Sequence, residues 1–546
     1  MAGDNSTAPS DNVTAAHAET LQQVGSEKIQ EQFVEEAEYE LNRIDLDKLS
    51  REAFSWKSRA GLRIIFCIIV QGLSTAAYGI DGSVTSGLAA LPAFRSEFNV
   101  GTSGAGIAII VSAMSIGNAA ASLFQWLSDI IGRRGVTFLG NAIMVIGVVL
   151  QAASGNNVCF IMGRVFAGVG ASLTANVGPL YMNEIAPAGC RAMVVGIYVS
   201  GYYIGGIVIA CALLGGSYLP GNWSWRMPIL LQLGPSILVM LLVYLITPES
   251  PRYLVARGKV DKARQVIARL HTTTDDVDEP IVSAEIKQIQ DSLERLDNNP
   301  WDFSTFWSSR SGRKRLWIIF LYSLFQQWNG TGLLTAYLPA VLELVNITNS
   351  HQQLAINLGQ SALAFVSILI GSTFVDRIRR RYLLLGSIAL YILFFGFMSL
   401  FSGLFSAGIA QHATGILIVV TIYLFNMCTG MFVSIVHNVY PNELFHYRQR
   451  AKGMGIYSFF QNCFGFSVTY GGARALADLK WKVYFLFIGI NILMLAGTWK
   501  FFPEFRRLSL EEIDLVMESD VDPVKMSLRL QKAKEEKREE ERETPA

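Results

Sequence analysis

The chain has 546 residues, of which 51% are hydrophobic and 16% charged, with a mean hydropathy of +0.34 and a formal net charge of +1. That apolar excess excludes an ordinary soluble globular protein, and the near-zero charge excludes a nucleic-acid binder, which needs a basic face. The six cysteines (Cys67, Cys159, Cys190, Cys211, Cys428, Cys463) lie in or beside apolar runs without C-x-x-C spacing, so neither a disulfide framework nor a metal site is expected.

Residues 1–60 are polar and acidic and lack the basic-then-apolar pattern of a cleavable signal, so the first apolar run must itself start insertion. Runs of near twenty residues with few charges then begin near Leu62, Ala105, Val136, Val158, Ala192, Ile229, Leu316, Leu354, Leu383, Gly415, Ala451 and Val483. They predict an all-α membrane protein with twelve transmembrane helices in two six-helix bundles, 61–247 and 316–503. Between them, 248–315 reads as a cytoplasmic linker with amphipathic helices over 259–270 and 284–296, and 504–546 as a cytoplasmic tail ending in alternating charge. Frequent glycine inside the runs, 48 in the chain, suits close helix packing in lipid.

Orientation follows from Lys and Arg. Arg133, Arg134, Arg191, Arg377, Arg379, Arg380, Arg381, Arg448, Arg450 and Lys452 all fall in connections of one parity, while the opposite loops carry few, chiefly Arg95, Arg226 and the stretch from Arg474 to Lys482. Both termini and the linker are therefore expected in the cytoplasm. Of the asparagine acceptor patterns, only Asn222 and Asn346 face outward and are glycosylation candidates; Asn5 and Asn12 are cytoplasmic and Asn329 is within a span.

The chain repeats an unusual pattern in its two halves. DIIGRR at 129–134 and DRIRRR at 376–381 each stand between two apolar runs, Glu184 stands seven residues before Arg191 as Glu443 does before Arg450, and PESPR at 248–252 has an echo in Pro503-Glu504. Charges recurring in order at span ends indicate two similar bundles in tandem, able to rock against each other. Asp129, Arg133, Arg134, Glu184 and Arg191 can meet Asp376, Arg380, Arg381, Glu443 and Arg450 when the inner side closes, forming an inner gate. Simple positive-inside anchoring is the alternative, and it leaves the repeated acids unexplained.

Two charges lie inside spans. Asp81 is about nineteen residues into the first, some 28 Å from its cytoplasmic start, and Arg164 is about six residues, roughly 9 Å, below the outer start of the fourth. Each costs about 2.5–3.5 kcal/mol near a bilayer centre if left alone, so they are expected to pair. The pair reads either as a structural lock or as a proton switch, because burial and a neighbouring guanidinium act in opposite senses on a carboxylate's affinity for protons.

The motifs together resemble the sugar porter family of the major facilitator superfamily. They are PESPR with Tyr253-Leu254, YMNEIAP at 181–187, GRVFAGVG at 163–170, RAKGMG at 450–455 and a degraded closing motif, PEFRRLSLEEI at 503–513. IDGSVTSGL at 80–88 is similar to the fungal lactose-permease-like and hexose-transporter-like subgroup. The resemblance implies proton coupling at Asp81 and Arg164 and a central sugar site using the QQWNGTGLLTAY run at 326–337, where Gln326, Gly330, Leu333 and Tyr337 would share one helical face. Its substrate residues would be Gln326, Gln327, Thr331, Tyr337, Asn438, Gln461 and Asn462. The chain departs from the family at Gly332 and Ala336 in the seventh span, Val199 in the fifth and Asn438 in the tenth, each loss removing a polar or stacking contact to a pyranose. His437 is either a second titrating group or a neutral hydrogen-bond partner.

The sequence thus predicts a plasma-membrane carrier, monomeric and without cofactors, that moves a sugar-like solute together with a proton. The competing readings are the same scaffold moving another solute, such as an exported specialised metabolite, a nutrient sensor that does not transport, and an integral-membrane enzyme. The last lacks a nucleophile–base or metal-ligand constellation in its spans.

Overall fold

The computed structural model describes residues 50, 53–294, 303–374, 378–445, 450–505, 510–519 and 521–532. Among the described residues, ten stretches are long and apolar enough to cross a bilayer. The last of these, Lys452–Phe501, is folded as two helices, Arg450–Leu479 and Val483–Phe501, turned about a short 3-10 segment at Lys480–Lys482. One further span, the seventh, is not among them, because its longest piece, Arg310–Trp328, begins with the charged run Arg310, Arg313, Lys314 and Arg315, and the short helices Thr331–Ala336 and Leu338–Glu343 follow it. With it the spans number twelve.

The first half comprises Arg59–Leu88, Ala105–Ser122, Leu127–Ala153, Asn157–Ile185, Arg191–Gly216 and a sixth span in two pieces, Trp223–Leu231 and Leu233–Ile246. In the second half the seventh span is followed by Ser350–Phe374, Arg380–Ser406, a tenth span running through Gln411–Cys428 and Ser434–Leu444, and the two helices just described. Apolar composition selects helix here because only internally bonded backbone is tolerated in lipid. Polar caps start individual spans: Ser58 Oγ accepts the Gly61 N–H at 3.2 Å, and Asn156 Oδ1 accepts the Cys159 N–H at 2.8 Å.

Small residues set how closely the spans approach. A Cβ on Gly147 of the third span would lie 2.4 Å from the Ala167 backbone nitrogen of the fourth, and one on Gly170 would lie 2.3 Å from the Gly140 carbonyl oxygen. The first span packs on the fifth, the second on the fourth, and the ninth on the twelfth. The halves meet where the second span faces the eleventh and the fifth faces the eighth.

The linker is a small helical layer of its own. Its helices Pro251–Ala256, Val260–His271 and Pro280–Glu294 bury Leu254, Ala263, Ile267, Ile281, Val282 and Ile286 against one another. The second long helix begins four residues earlier than the pattern at 284–296 suggests, with Pro280 supplying a helix-compatible φ at its first turn. The layer docks on the first half through Arg63, which holds both Asp275 oxygens at 2.6 and 3.0 Å. Buried His271 adds a second anchor, facing Glu285 Oε2 at 2.7 Å and the Ile185 carbonyl at 3.0 Å. The Arg63 hydrogen bond holds the Asp275 carboxyl below its ordinary range.

Gly147→Leu should force the third and fourth spans apart and destabilise the first half by more than the ~1–3 kcal/mol of an ordinary overpacked site, because the clash is with backbone. The check is the thermal midpoint of the detergent-solubilised protein followed by size-exclusion fluorescence; an unchanged midpoint would show that the interface can yield.

Candidate transport site

Asp81 and Arg164 are each seven residues from the same end of the bundle, the far end opposite the linker, and so about 10 Å below it. Arg164 Nη1 donates to Asp81 Oδ1 at 2.7 Å, and the two side chains are 0% and 1% exposed. Local packing sets up this contact. Gly168, one turn beyond Arg164, lets the fourth span approach the second so closely that a Cβ would lie 2.3 Å from the Met114 carbonyl oxygen. The guanidinium thereby also reaches Met114 Sδ at 3.5 Å and the Asp81 carbonyl at 3.3 Å, tying three spans together. Tyr78 and Tyr202 stand beside the carboxylate with their rings 5.2 Å apart, and the Gln232 side chain at the break in the sixth span faces the same group.

Across the interface, the second half presents amides. Gln327 Nε2 donates to Gln461 Oε1, Gln461 Nε2 to the Tyr457 hydroxyl at 2.7 Å, and Gln326 Nε2 to the Tyr322 hydroxyl at 2.9 Å. Asn462 is half-buried and donates to the Ser458 carbonyl at 2.7 Å. His437 gives its carbonyl to the Tyr457 hydroxyl at 2.9 Å, and its ring meets the Tyr457 ring edge-on at 5.8 Å.

The seventh span does not keep the single face expected through Gln326, Gly330, Leu333 and Tyr337. Gly330 sits at φ +96°, where a Cβ would also lie 2.3 Å from the Phe395 ring, and Asn329 Oδ1 turns to accept the Thr331 N–H at 2.9 Å. Beyond that break Leu333 and Tyr337 are fully buried, and the Tyr337 hydroxyl donates to the Thr469 carbonyl at 2.8 Å. Tyr337 therefore ties the seventh span to the eleventh. Thr331 opens the short second piece of the span.

At the linker end, the first-half charges form one cluster. Arg133 holds Glu184 bidentately at 2.8 and 2.9 Å and Asp129 at 3.0 Å, while its N–H donates to Glu249 Oε1 at 3.0 Å. Gly132, at φ +82°, makes room for the Glu249 carboxylate, which a Cβ would meet at 2.5 Å. Arg134 lies over the Tyr244 ring at 4.8 Å and Arg191 Nε donates to the Ala186 carbonyl at 3.3 Å.

The second half repeats the construction with Glu504, which accepts the N–H groups of Arg380 and Arg381 at 3.1 and 2.9 Å; Arg380 also faces Glu443 at 3.6 Å. The pairs named here each join groups of one half. Asp376 lies outside the described residues, as do the side chains of Asn438 and Arg450.

The far end, by contrast, is bolted across the halves. Arg95 and Thr102 of the first half hold the two Glu343 oxygens at 3.2 and 2.6 Å. Ser217 meets His351 Nδ1 at 2.8 Å, Tyr218 stacks on the His351 ring at 4.4 Å, and Ser86 pairs with Asn357 at 3.2 Å. The molecule is closed at the far end. Asn222 and Asn346 are on this side too: Asn222 Nδ2 donates to Glu97 at 3.0 Å, and Asn346 is exposed at φ +61°.

Sequence reasoning missed Glu343 and His351, although the sparse charges of these loops had already drawn notice to Arg95. It also left Glu249 and Glu504 out of the gate, where the repeated Pro-Glu pair was the available signal.

Glu504→Ala strips two buried N–H groups of their acceptor and should cost about 1–3 kcal/mol for each unsatisfied group, read as a lower thermal midpoint. Glu343→Gln should loosen the far-end closure by at most about fivefold, since a partly exposed pair is worth about 1 kcal/mol or less. Distances between probes on the exposed Ser96 and Gln352 check this; an unshifted distribution would show that the pair does not hold the closure.

A family model described as sugar (and other) transporter matches residues 66–517. Among curated proteins, the chain is 28% identical over 466 residues to myo-inositol transporter 2 of Schizosaccharomyces pombe, covering 82% of this chain and 81% of that one. It is also 28% identical to a quinate permease of Neurospora terricola, covering 84% and 89%. Among solved structures, a partially occluded inward open conformation of the xylose transporter XylE from E. coli gives a TM-score of 0.68 at 19% identity, over 82% of this chain and 99% of that one. The proton:xylose symporter XylE bound to 6-bromo-6-deoxy-D-glucose gives 0.67 at 20% identity, over 84% and 100%. The family match runs through both six-helix halves, and the solved structures share their fold: the chain is a multi-pass membrane transporter and belongs to the sugar (and other) transporter family.

Proposed function

We propose that the protein carries a neutral polyhydroxy solute of the sugar or cyclic polyol class, together with a proton, by alternating access across the plasma membrane. In this reading the linker end is cytoplasmic, as the Lys and Arg distribution supports, and a single chain is the working unit because it contains both halves of the rocking pair.

The observation that carries the proposal is the fully buried Asp81–Arg164 pair at 2.7 Å, placed on one half while amides occupy the other. Paired amides such as Gln327 and Gln461 supply both donors and acceptors, which hydroxyl groups require. Protonation of Asp81 would release Arg164, weaken the tie among the first, second and fourth spans, and bias the bundle between its two closures. The inner gate would form when Arg133, Glu184 and their counterparts Arg380, Glu443 and Glu504 exchange partners within a half for partners across it.

A polyhydroxy carboxylate is the second reading, favoured by the similarity to a quinate permease. The central cation, Arg164, is committed to Asp81, which favours a neutral solute.

Uptake of radiolabelled hexoses, pentoses, inositols and quinate in a strain lacking its own carriers tests the proposal. Accumulation should collapse with a protonophore and in Asp81→Asn, while exchange of preloaded solute by that variant persists; accumulation by Asp81→Asn equal to wild type would remove Asp81 from the mechanism. Gln461→Ala should raise KM roughly tenfold, the loss of about 1–1.5 kcal/mol of hydrogen bonding, and an unchanged KM for every solute would move the site elsewhere.

A further inference from the structure

Ser115 of the second span faces the amides of the second half across the interface between the halves. Gly465 of the eleventh span makes the space between them: a Cβ on it would lie 3.4 Å from Gln327 Oε1 and 3.7 Å from Ser115 Oγ. One oxygen from each half therefore lines this point, and the two are at most about 7 Å apart. Both side chains are half-buried. Among the described residues Ser115 makes no hydrogen bond, and Gln327 spends its Nε2 on Gln461 while its Oε1 stays unused.

The chemistry of the two oxygens restricts what fits between them. A hydroxyl oxygen sits about 2.7–2.8 Å from each partner, so one hydroxyl bridges oxygens up to about 5.5 Å apart. Gln327 Oε1 can only accept, whereas a serine hydroxyl gives or takes. The bridging group must bring a proton of its own, which an alcohol does and a carboxylate or a ring ether does not. The serine is also firmly mounted. Gly117, two residues on, brings the second span so close to the fourth that a Cβ would lie 2.1 Å from the Val165 carbonyl oxygen, and the preceding Met114 takes the Arg164 guanidinium on its sulfur at 3.5 Å. A hydroxyl held this way loses little freedom when it binds.

From this arrangement we infer that Ser115 is a specificity-determining contact of the transport site: one solute hydroxyl donates to Gln327 Oε1 and accepts from Ser115 Oγ, in the space that Gly465 leaves open. The inference rests on the polyhydroxy-solute carrier proposed above and gives the first half a share in holding the solute. Because the two oxygens belong to different halves, a seated hydroxyl ties the halves together at this point.

The experiment is uptake of radiolabelled myo-inositol, D-glucose and D-xylose in the carrier-deficient strain, with their monodeoxy analogues as competitors. Ser115→Ala should raise KM for the carried solute about fivefold, the loss of one hydrogen bond between neutral groups, with the maximal rate held. The one analogue that lacks the bridging hydroxyl should inhibit wild type and variant equally, while the other analogues weaken with the parent, a pattern that a general loosening of the second span does not produce. Gly465→Ala gives the independent arm. Its methyl meets both oxygens at ordinary contact distance, so the fold holds while the hydroxyl's space is filled, and KM should rise at least about fivefold; Gly471→Ala, on the same helix with nothing within 4 Å, should leave KM unchanged. Equal weakening of the parent and every analogue in Ser115→Ala, an unchanged KM in Ser115→Ala or Gly465→Ala, or an equal rise in Gly471→Ala would overturn the assignment of Ser115 while the carrier reading stands. A wild type that takes up none of the three solutes would overturn both.

Discussion

A bilayer gives a buried charge no partner but another protein group, and the arrangement of the first half follows from that constraint. Arg164 cannot be left in hydrocarbon, so the first, second and fourth spans converge on it with a carboxylate, a backbone carbonyl and a thioether sulfur. The convergence needs close backbones, which explains why small residues recur along these spans. Breaking such a pair by removing one partner leaves a bare buried charge and is far costlier than its absence would be. A proton is the one agent that can neutralise the carboxylate without removing it.

The same constraint governs the second half through the backbone. Interrupting a helix inside the membrane frees carbonyl and N–H groups that water cannot satisfy, so a break persists only where side chains take them up. At the seventh span Asn329 Oδ1 accepts the Thr331 N–H, and buried Asn491 donates to the Asn329 carbonyl at 3.2 Å. The tenth span loosens into a π segment at Thr429–Val433, where the Thr429 hydroxyl meets Tyr391 at 2.9 Å. Polar residues in these spans thus divide into those that satisfy backbone and those that face the interface. Tyr337 and Asn491 belong to the first group, Gln326 and Gln327 to the second.

The two ends of the molecule differ in kind. At the linker end each half carries a carboxylate that accepts N–H groups at the start of a span while arginines reach sideways. Glu249 does this for the third span and Glu504 for the ninth, although the neighbouring sequences differ. At the far end the contacts run between halves and use single-purpose residues, Arg95 with Glu343 and Ser217 with His351. Symmetric clusters suit a gate that either half must be able to form, whereas asymmetric bolts reflect loops free to differ between the halves.

Sequence alone determined the number and order of the spans, the tandem repeat, the amphipathic linker and the meeting of Asp81 with Arg164. These follow from hydropathy, from charge parity and from depth counted at a fixed rise per residue, all of which are local quantities. The family motifs were legible for the same reason: they are contiguous. Tertiary structure decided the rest. Whether Gln326 and Tyr337 share a face depends on a break at Gly330 that the Phe395 ring and Asn491 support from other spans, and periodicity assumes an unbroken helix. Which end is closed depends on Glu343 and His351 finding partners some 130 to 250 positions away in the chain, a property of how two rigid halves are tilted. No local pattern encodes a tilt, because the same sequence must support more than one.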